Sequence, residues 1–181
     1  MQHFFAVGRL STYNIEFKGL NEGIHEFDYQ IGKPFFELFE ESLVDDGDVK
    51  VRVVLEKHSS FLELHLSLKG TVVLTCDRCL ELYDQKVKGK SSLFIKFGET
   101  ESEAGEDVIW IPAEEHQVNV AQLIYEYIAI SIPLRHIHSA RKGKEGGCNP
   151  EMLKKLEEYT RPDSESTDER WSELKKLLNN N

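Results

Sequence analysis

Residues 61–76 read FLELHLSLKGTVVLTC, and in their first half Leu62, Leu64, Leu66 and Leu68 alternate with Glu63, His65, Ser67 and Lys69. A period of two matches the pleat of an extended chain, so the leucines share one face and the polar residues the other. That is the pattern of a half-buried antiparallel strand, and it sets the class of the whole body. SSLFIKFG (91–98) repeats it with Leu93, Ile95 and Phe97, and DVKVRVVLEKHS (48–59) carries the same β-branched and apolar enrichment. VIWIP (108–112) is a short apolar strand closed by Pro112. Toward the N-terminus, STYNIEFKGL (11–20) and IHEFDYQI (24–31) flank the turn-forming LNEG, which predicts a hairpin. KPFFELFEES (33–42) has Pro34 at its start and Phe35, Leu38 and Phe39 at i, i+3, i+4, which predicts a short helix.

The hydrophobic period changes near Asn119. Val120, Leu123, Ile124, Tyr127 and Ile128 fall on one helical face, with Asn119 as a cap and Pro133 closing the segment, a helix over 119–130. Asn149, Pro150 and Glu151 give three concordant start signals for a helix over 150–160. After the breaker RPDSEST, Asp168 opens a last helix over 168–178 with Trp171, Leu174, Leu177 and Leu178 on its apolar side. The fold class is α+β: a strand-rich, mostly antiparallel sheet body over 1–148, carrying the helix at 119–130, followed by a helical segment over 149–181 that packs on or beside it.

Composition bounds what such a body does. Among 181 residues, 40% are hydrophobic and 10% aromatic, enough to bury a substantial core. No run of about 18 apolar residues is long enough for a membrane helix. The opening MQHFFAVGRLSTYN lacks the basic start and apolar stretch of a signal peptide, and the expected location is cytoplasmic. Three cysteines, an odd number, fit a reducing compartment better than a disulfide framework. With 22 basic against 32 acidic residues the formal charge is −10, which does not favour a broad nucleic-acid surface. The charge is uneven, however. ETESEAGED (99–107) holds five acids and no base, as a solvated loop does, whereas Arg135, Arg141, Lys142 and Lys144 form a basic strip with His136 and His138.

Cys76 and Cys79 stand two residues apart in TCDRCLELYD (75–84). A thioredoxin-like pair sits where a strand enters a helix, but the residues after Cys79 have poor helical periodicity, so the pair reads as a strand-turn-strand knuckle. Such a knuckle presents two sulfurs on one side of a turn, half of a tetrahedral zinc site. The other half comes from Cys148 with His138 or His136, across a connection that contains Gly143, Gly146 and Gly147. His138 is preferred because it lies nearer Cys148. Leu80 stands where zinc knuckles usually carry glycine, and thiols that pack at a turn without metal, or a redox pair, are the competing readings. His3, His25, His58, His65 and His116 have no partner at ligand spacing and read as surface residues. No glycine-rich phosphate loop, G-x-S-x-G or H-E-x-x-H occurs, and no catalytic constellation is evident.

LKGTVVLTCDRCLELYD, VAQLIYEYIAISIPLRHIH, Cys148 within GGCNPEML and the terminal DERWSELKKLL together resemble the YceD-like family, in the branch found in Bacteroidetes. The resemblance runs in order from about residue 45 to the end, and C-D-R-C-L is its most specific element. It implies a part in accumulation of large-subunit ribosomal RNA, hence in ribosome assembly, without supplying a molecular mechanism. Two departures stand out: Asp168, Glu169 and Arg170 replace a D-P-R found in many members, and a cysteine-rich C-terminal cluster found in others is reduced to Cys148. His138 then takes the fourth ligand position. The expectation is a non-enzymatic assembly factor with a structural zinc on Cys76, Cys79, His138 and Cys148. Its partner is ribosomal RNA, touched through Arg135, Arg141, Lys142 and Lys144, or a basic ribosomal protein held by the acidic surface.

Overall fold

A computed structural model describes residues 10–98, 107–138 and 147–160. These fall into two compact units: one holds the described residues up to 75 and from 82 to 136, the other 76–81 and those from 137 onward.

The first unit is built on a five-stranded sheet of order β2-β3-β4-β5-β6, with β2 Gly23–Ile31, β3 Gly47–Lys57, β4 Phe61–Thr75, β5 Leu82–Phe97 and β6 Val108–Ile111. Neighbours are antiparallel except β5 and β6, which run parallel from Phe94↔Val108 to Phe97↔Ile111. The alternation in FLELHLSL is realised as expected. Leu62, Leu64, Leu66 and Leu68 are buried, and their register partners Leu55, Val53 and Val51 on β3 and Leu93 and Ile95 on β5 lie on the same inward face. A single sheet face is therefore dry. Gly70 stands on that face where β3 and β4 approach closely, since a Cβ there would run into the Asp48 carbonyl.

Three helical pieces accompany the sheet: α1 Lys33–Phe36, α2 Ala121–Ile130 and, in the second unit, α3 Pro150–Tyr159. In α1 Pro34 lies in the first turn and Phe35 and Phe36 are buried. In α2 Ala121, Ile124 and Ile128 are buried, while Leu123 and Tyr127 pack against the core from its margin. Phe39 stacks on Tyr125 with ring centroids 4.3 Å apart, joining the segment after α1 to α2. The N-cap position of α2 falls to Val120 and not to Asn119, because the helix begins two residues later than the pattern suggested; Asn119 Oδ1 still accepts the Ala121 N–H at 3.0 Å. Asn119 itself closes the short strand β7 Val118–Asn119.

The expected hairpin between 11–20 and 24–31 does not form. A 3-10 turn occupies Ser11–Tyr13, and only β1 Asn14–Ile15 is extended, pairing antiparallel with β7. β2 instead spends its whole length on β3, Gly23↔Lys57 to Ile31↔Val49. β2 is the edge strand of its sheet and, among the described residues, its outer side stays open, but the extended part of 11–20 is only two residues long and is taken up by β7. The connection between them is held by Lys57, whose Nζ donates to the carbonyls of Phe17 (3.0 Å) and Leu20 (2.7 Å). The last expected helix, 168–178, and most of the acidic loop 99–107 lie outside the described residues.

If α2 is held by its dry stripe, Ile124→Ala should lower the unfolding free energy by about 2–5 kcal/mol in a denaturant titration, whereas Ile130→Ala, 77% exposed, should change it by less than about 0.5 kcal/mol.

Candidate metal centre

β4 ends at Thr75 and β5 begins at Leu82, paired with each other, so residues 76–81 form a short turn between strands, as the sequence pattern implies. Within it the Cys76 N–H donates to the Glu81 carbonyl and the Leu80 N–H donates to the Cys76 carbonyl, both at 2.9 Å. The turn carries residue 80 in the left-handed region, where Leu80 has φ 61°. A side chain there costs about 1–2 kcal/mol relative to glycine, which explains why glycine is usual at this position.

The remaining residues of the site approach from the second half of the same unit. Asn149 caps α3, its Oδ1 accepting the Glu151 N–H at 2.9 Å, and its Nδ2 donates to the Glu81 carboxylate at 2.9 Å. The cap thus fixes the start of α3 against the knuckle, and Cys148, the residue before the cap, is delivered with it.

Cys76, Cys79, His138 and Cys148 converge so that one ligand atom from each lies within 4.8 Å of every other. Cys76 Sγ is 3.6 Å from Cys148 Sγ, and Cys79 Sγ is 3.4 Å from His138 Nδ1. A disulfide, at about 2.05 Å, is excluded by the first distance. A zinc ion with Zn–S of about 2.3 Å and Zn–N of about 2.0 Å spaces its tetrahedral ligands at about 3.8 Å for S···S and about 3.6 Å for S···N. The two separations fit that geometry. Three soft thiolates with one imidazole are a zinc donor set, and these four residues could hold that ion. His136, the other histidine considered for the fourth position, is not part of the cluster.

Electrostatics prepare the sulfurs. Burial pushes the Cys76 thiol up, but the backbone N–H groups of Cys79, Arg78 and His138 and the Cys79 thiol together stabilise its thiolate and bring it from 9.0 down to about 6. Cys148 moves the other way, to about 11, through burial and the neighbouring Cys76 and Cys79 sulfurs. A dication reverses the repulsion that holds Cys148 protonated.

Of the expected surface histidines, His3 lies outside the described residues, and His58, against expectation, has Glu56 and Glu63 at ligand spacing. His65 and His58 sit 3.2 and 3.5 Å from Glu63 and Glu56, and His116 is exposed. Of the basic strip, Arg135 is described and exposed, while Arg141, Lys142 and Lys144 lie outside the described residues. Sequence reasoning passed over a second basic feature, Lys86, Lys88 and Lys90 on β5, whose period of two was visible in QKVKGKSS.

About one zinc per chain is expected by elemental analysis of protein purified without a histidine tag, and Cys79→Ser and Cys148→Ser should each lose it together with thermal stability. Leu80→Gly should keep the metal and raise stability by up to about 1 kcal/mol. The pH response of metal-free protein has two limbs. Cys76, depressed from 9.0 to about 6, stabilises the fold above about pH 9 and loses that contribution as pH falls through 6. Cys148, raised to about 11, contributes below about pH 9 and loses its contribution as pH rises through 11. Melting temperatures with chelator should therefore peak near pH 9, and zinc should abolish the alkaline decline.

No curated protein and no solved structure matches the chain. The profile of one family, described as large ribosomal RNA subunit accumulation protein YceD, matches residues 64–178, a span that contains all four converging side chains and well over half of the sequence. The chain belongs to the YceD family.

Proposed function

We propose that this protein supports accumulation of large-subunit ribosomal RNA as a ribosome-assembly factor that acts by binding and not by catalysis. The observation that carries the reading is the metal cluster within the family match. Four protein side chains that could fill all four positions around a zinc ion would leave none for a substrate or an activated water, which supports a structural role for that ion. The family description supplies the association with large-subunit ribosomal RNA. Among the described residues no helix is long and apolar enough to cross a membrane.

The net charge of −10 favours a second reading, an acidic adaptor that holds a basic ribosomal protein until it docks. Affinity capture from lysate with and without nuclease separates the two. Co-purifying large-subunit RNA that disappears on nuclease treatment supports direct RNA association, whereas a ribosomal protein retained after nuclease supports the adaptor. In the RNA reading, replacing Arg135, Arg141, Lys142 and Lys144 by Ala should weaken RNA association and flatten its salt dependence by about one unit for each phosphate no longer neutralised.

A further inference from the structure

The sheet of the first unit has an outward face, and its register places basic residues side by side. Lys50 on β3 is directly opposite Lys69 on β4, and Lys69 is directly opposite Lys88 on β5. All three are exposed. Lys86 and Lys90 flank Lys88 on the same side of β5, at roughly 6.6 Å steps along the strand. Of the acids nearest in register, Asp28 is paired with Arg52 through two bonds at 2.8 and 3.1 Å, while Asp48, which accepts from the neutral Gln30, and Asp84 bound the lysines at the Lys86 end. Among the described residues no carboxylate lies within 4.0 Å of Lys50, Lys69, Lys86, Lys88 or Lys90, whereas Arg52 in the next row is paired.

Folding alone does not favour this arrangement, because like charges directly opposite one another destabilise a sheet. Protection of an exposed edge explains lysines at an edge strand. That accounts for Lys86, Lys88 and Lys90, which lie on the stretch of β5 outside its pairing with β6, but not for Lys50 and Lys69, whose strands are paired on both sides. An unpaired ladder of ammonium groups across three strands is what a polyanion backbone requires, since each phosphate neutralised releases a condensed counterion. The lysine row and the row beside it contain no aromatic side chain: Gln30, Lys50, Lys69, Lys88 and Asp28, Arg52, Ser67, Lys90. Charge without a stacking platform suits the phosphates of helical RNA and not the splayed bases of a single strand.

We infer that the outward face of the sheet, centred on Lys50, Lys69 and Lys88, is a docking surface for the phosphodiester backbone of double-helical RNA. The inference rests on the RNA-binding reading above and moves its main contact from the strip at 135–144 to the sheet. Binding there is driven by charge, falls steeply with salt and is indifferent to base sequence.

Fluorescence anisotropy with a labelled RNA duplex, titrated with the full chain over a salt series, tests it. The variant K50Q/K69Q/K88Q should bind about 10-fold more weakly near 0.1 M salt, with the log–log salt slope shallower by about 2–3. K50R/K69R/K88R should bind like the parent. K33Q/K154Q/K155Q, which removes the same charge elsewhere, should stay within about twofold. The melting temperature of K50Q/K69Q/K88Q should be equal or higher, because self-repulsion is relieved, so weaker binding does not reflect unfolding. If K50Q/K69Q/K88Q binds like the parent while the Arg135, Arg141, Lys142 and Lys144 variant does not, the sheet surface is wrong and the RNA reading stands. If the parent binds polyglutamate but no RNA duplex, the face takes an acidic protein, and both this inference and the RNA reading fall.

Discussion

Among its described residues the second unit has no apolar core, and four polar atoms converge where its described segments meet. Cys76 and Cys79 are the only buried side chains described there, and α3 buries none. The described segments of this unit bury too little apolar surface to offset their own conformational entropy, and a staple helps to hold them. Three sulfurs and an imidazole nitrogen at tetrahedral spacing supply one when joined through a dication, because the binding free energy of a structural metal is also folding free energy. The remaining details serve that convergence. The left-handed Leu80 closes the knuckle, three backbone N–H groups support the Cys76 thiolate, and Asn149 both caps α3 and reaches Glu81.

Stability in the first unit has a different origin, and the contrast matters for function. Its inward face is dry and apolar, anchored by the leucines of β4 with α1 and α2 over them. Because those contacts already stabilise the sheet, the outward face is free to carry an unfavourable charge arrangement. A row of three lysines in direct register is tolerable there for the same reason that strain is tolerated at other functional sites: the surrounding structure over-determines it.

Legibility in the sequence followed how local each signal was. The alternation at 62–69 announced β4 and its buried face because period two is a property of neighbouring residues. Asn149 and Pro150 announced α3 for the same reason. The hairpin of 11–20 with 24–31 failed because strand pairing is non-local: Asn14 and Ile15 pair with Asn119 and Val118, and nothing near residue 20 reveals it. The knuckle was legible from C-x-x-C followed by a strand pattern, and His138 was preferred to His136 on two residues of proximity alone. The lysine ladder needed register. Lys86, Lys88 and Lys90 alternate visibly, but only pairing across strands shows that Lys50 and Lys69 stand beside them.

A basic face on an acidic protein, as the described residues of the sheet form it, also answers the difficulty that its net charge raised. A surface that is positive everywhere would collect nucleic acid without regard to shape, and at a charge of −10 most orientations of this chain repel a phosphate backbone instead. Glu26, Glu56 and Glu63 lie on the outward side of the same sheet, beyond Arg52, so the favourable patch is bounded within its own face. In the inferred binding mode, encounter is productive when the lysine rows meet the phosphates, and the acidic remainder contributes orientation, not affinity. On this view the −10 and the lysine ladder are two halves of one recognition device, in which repulsion from the rest of the molecule limits an otherwise indiscriminate attraction.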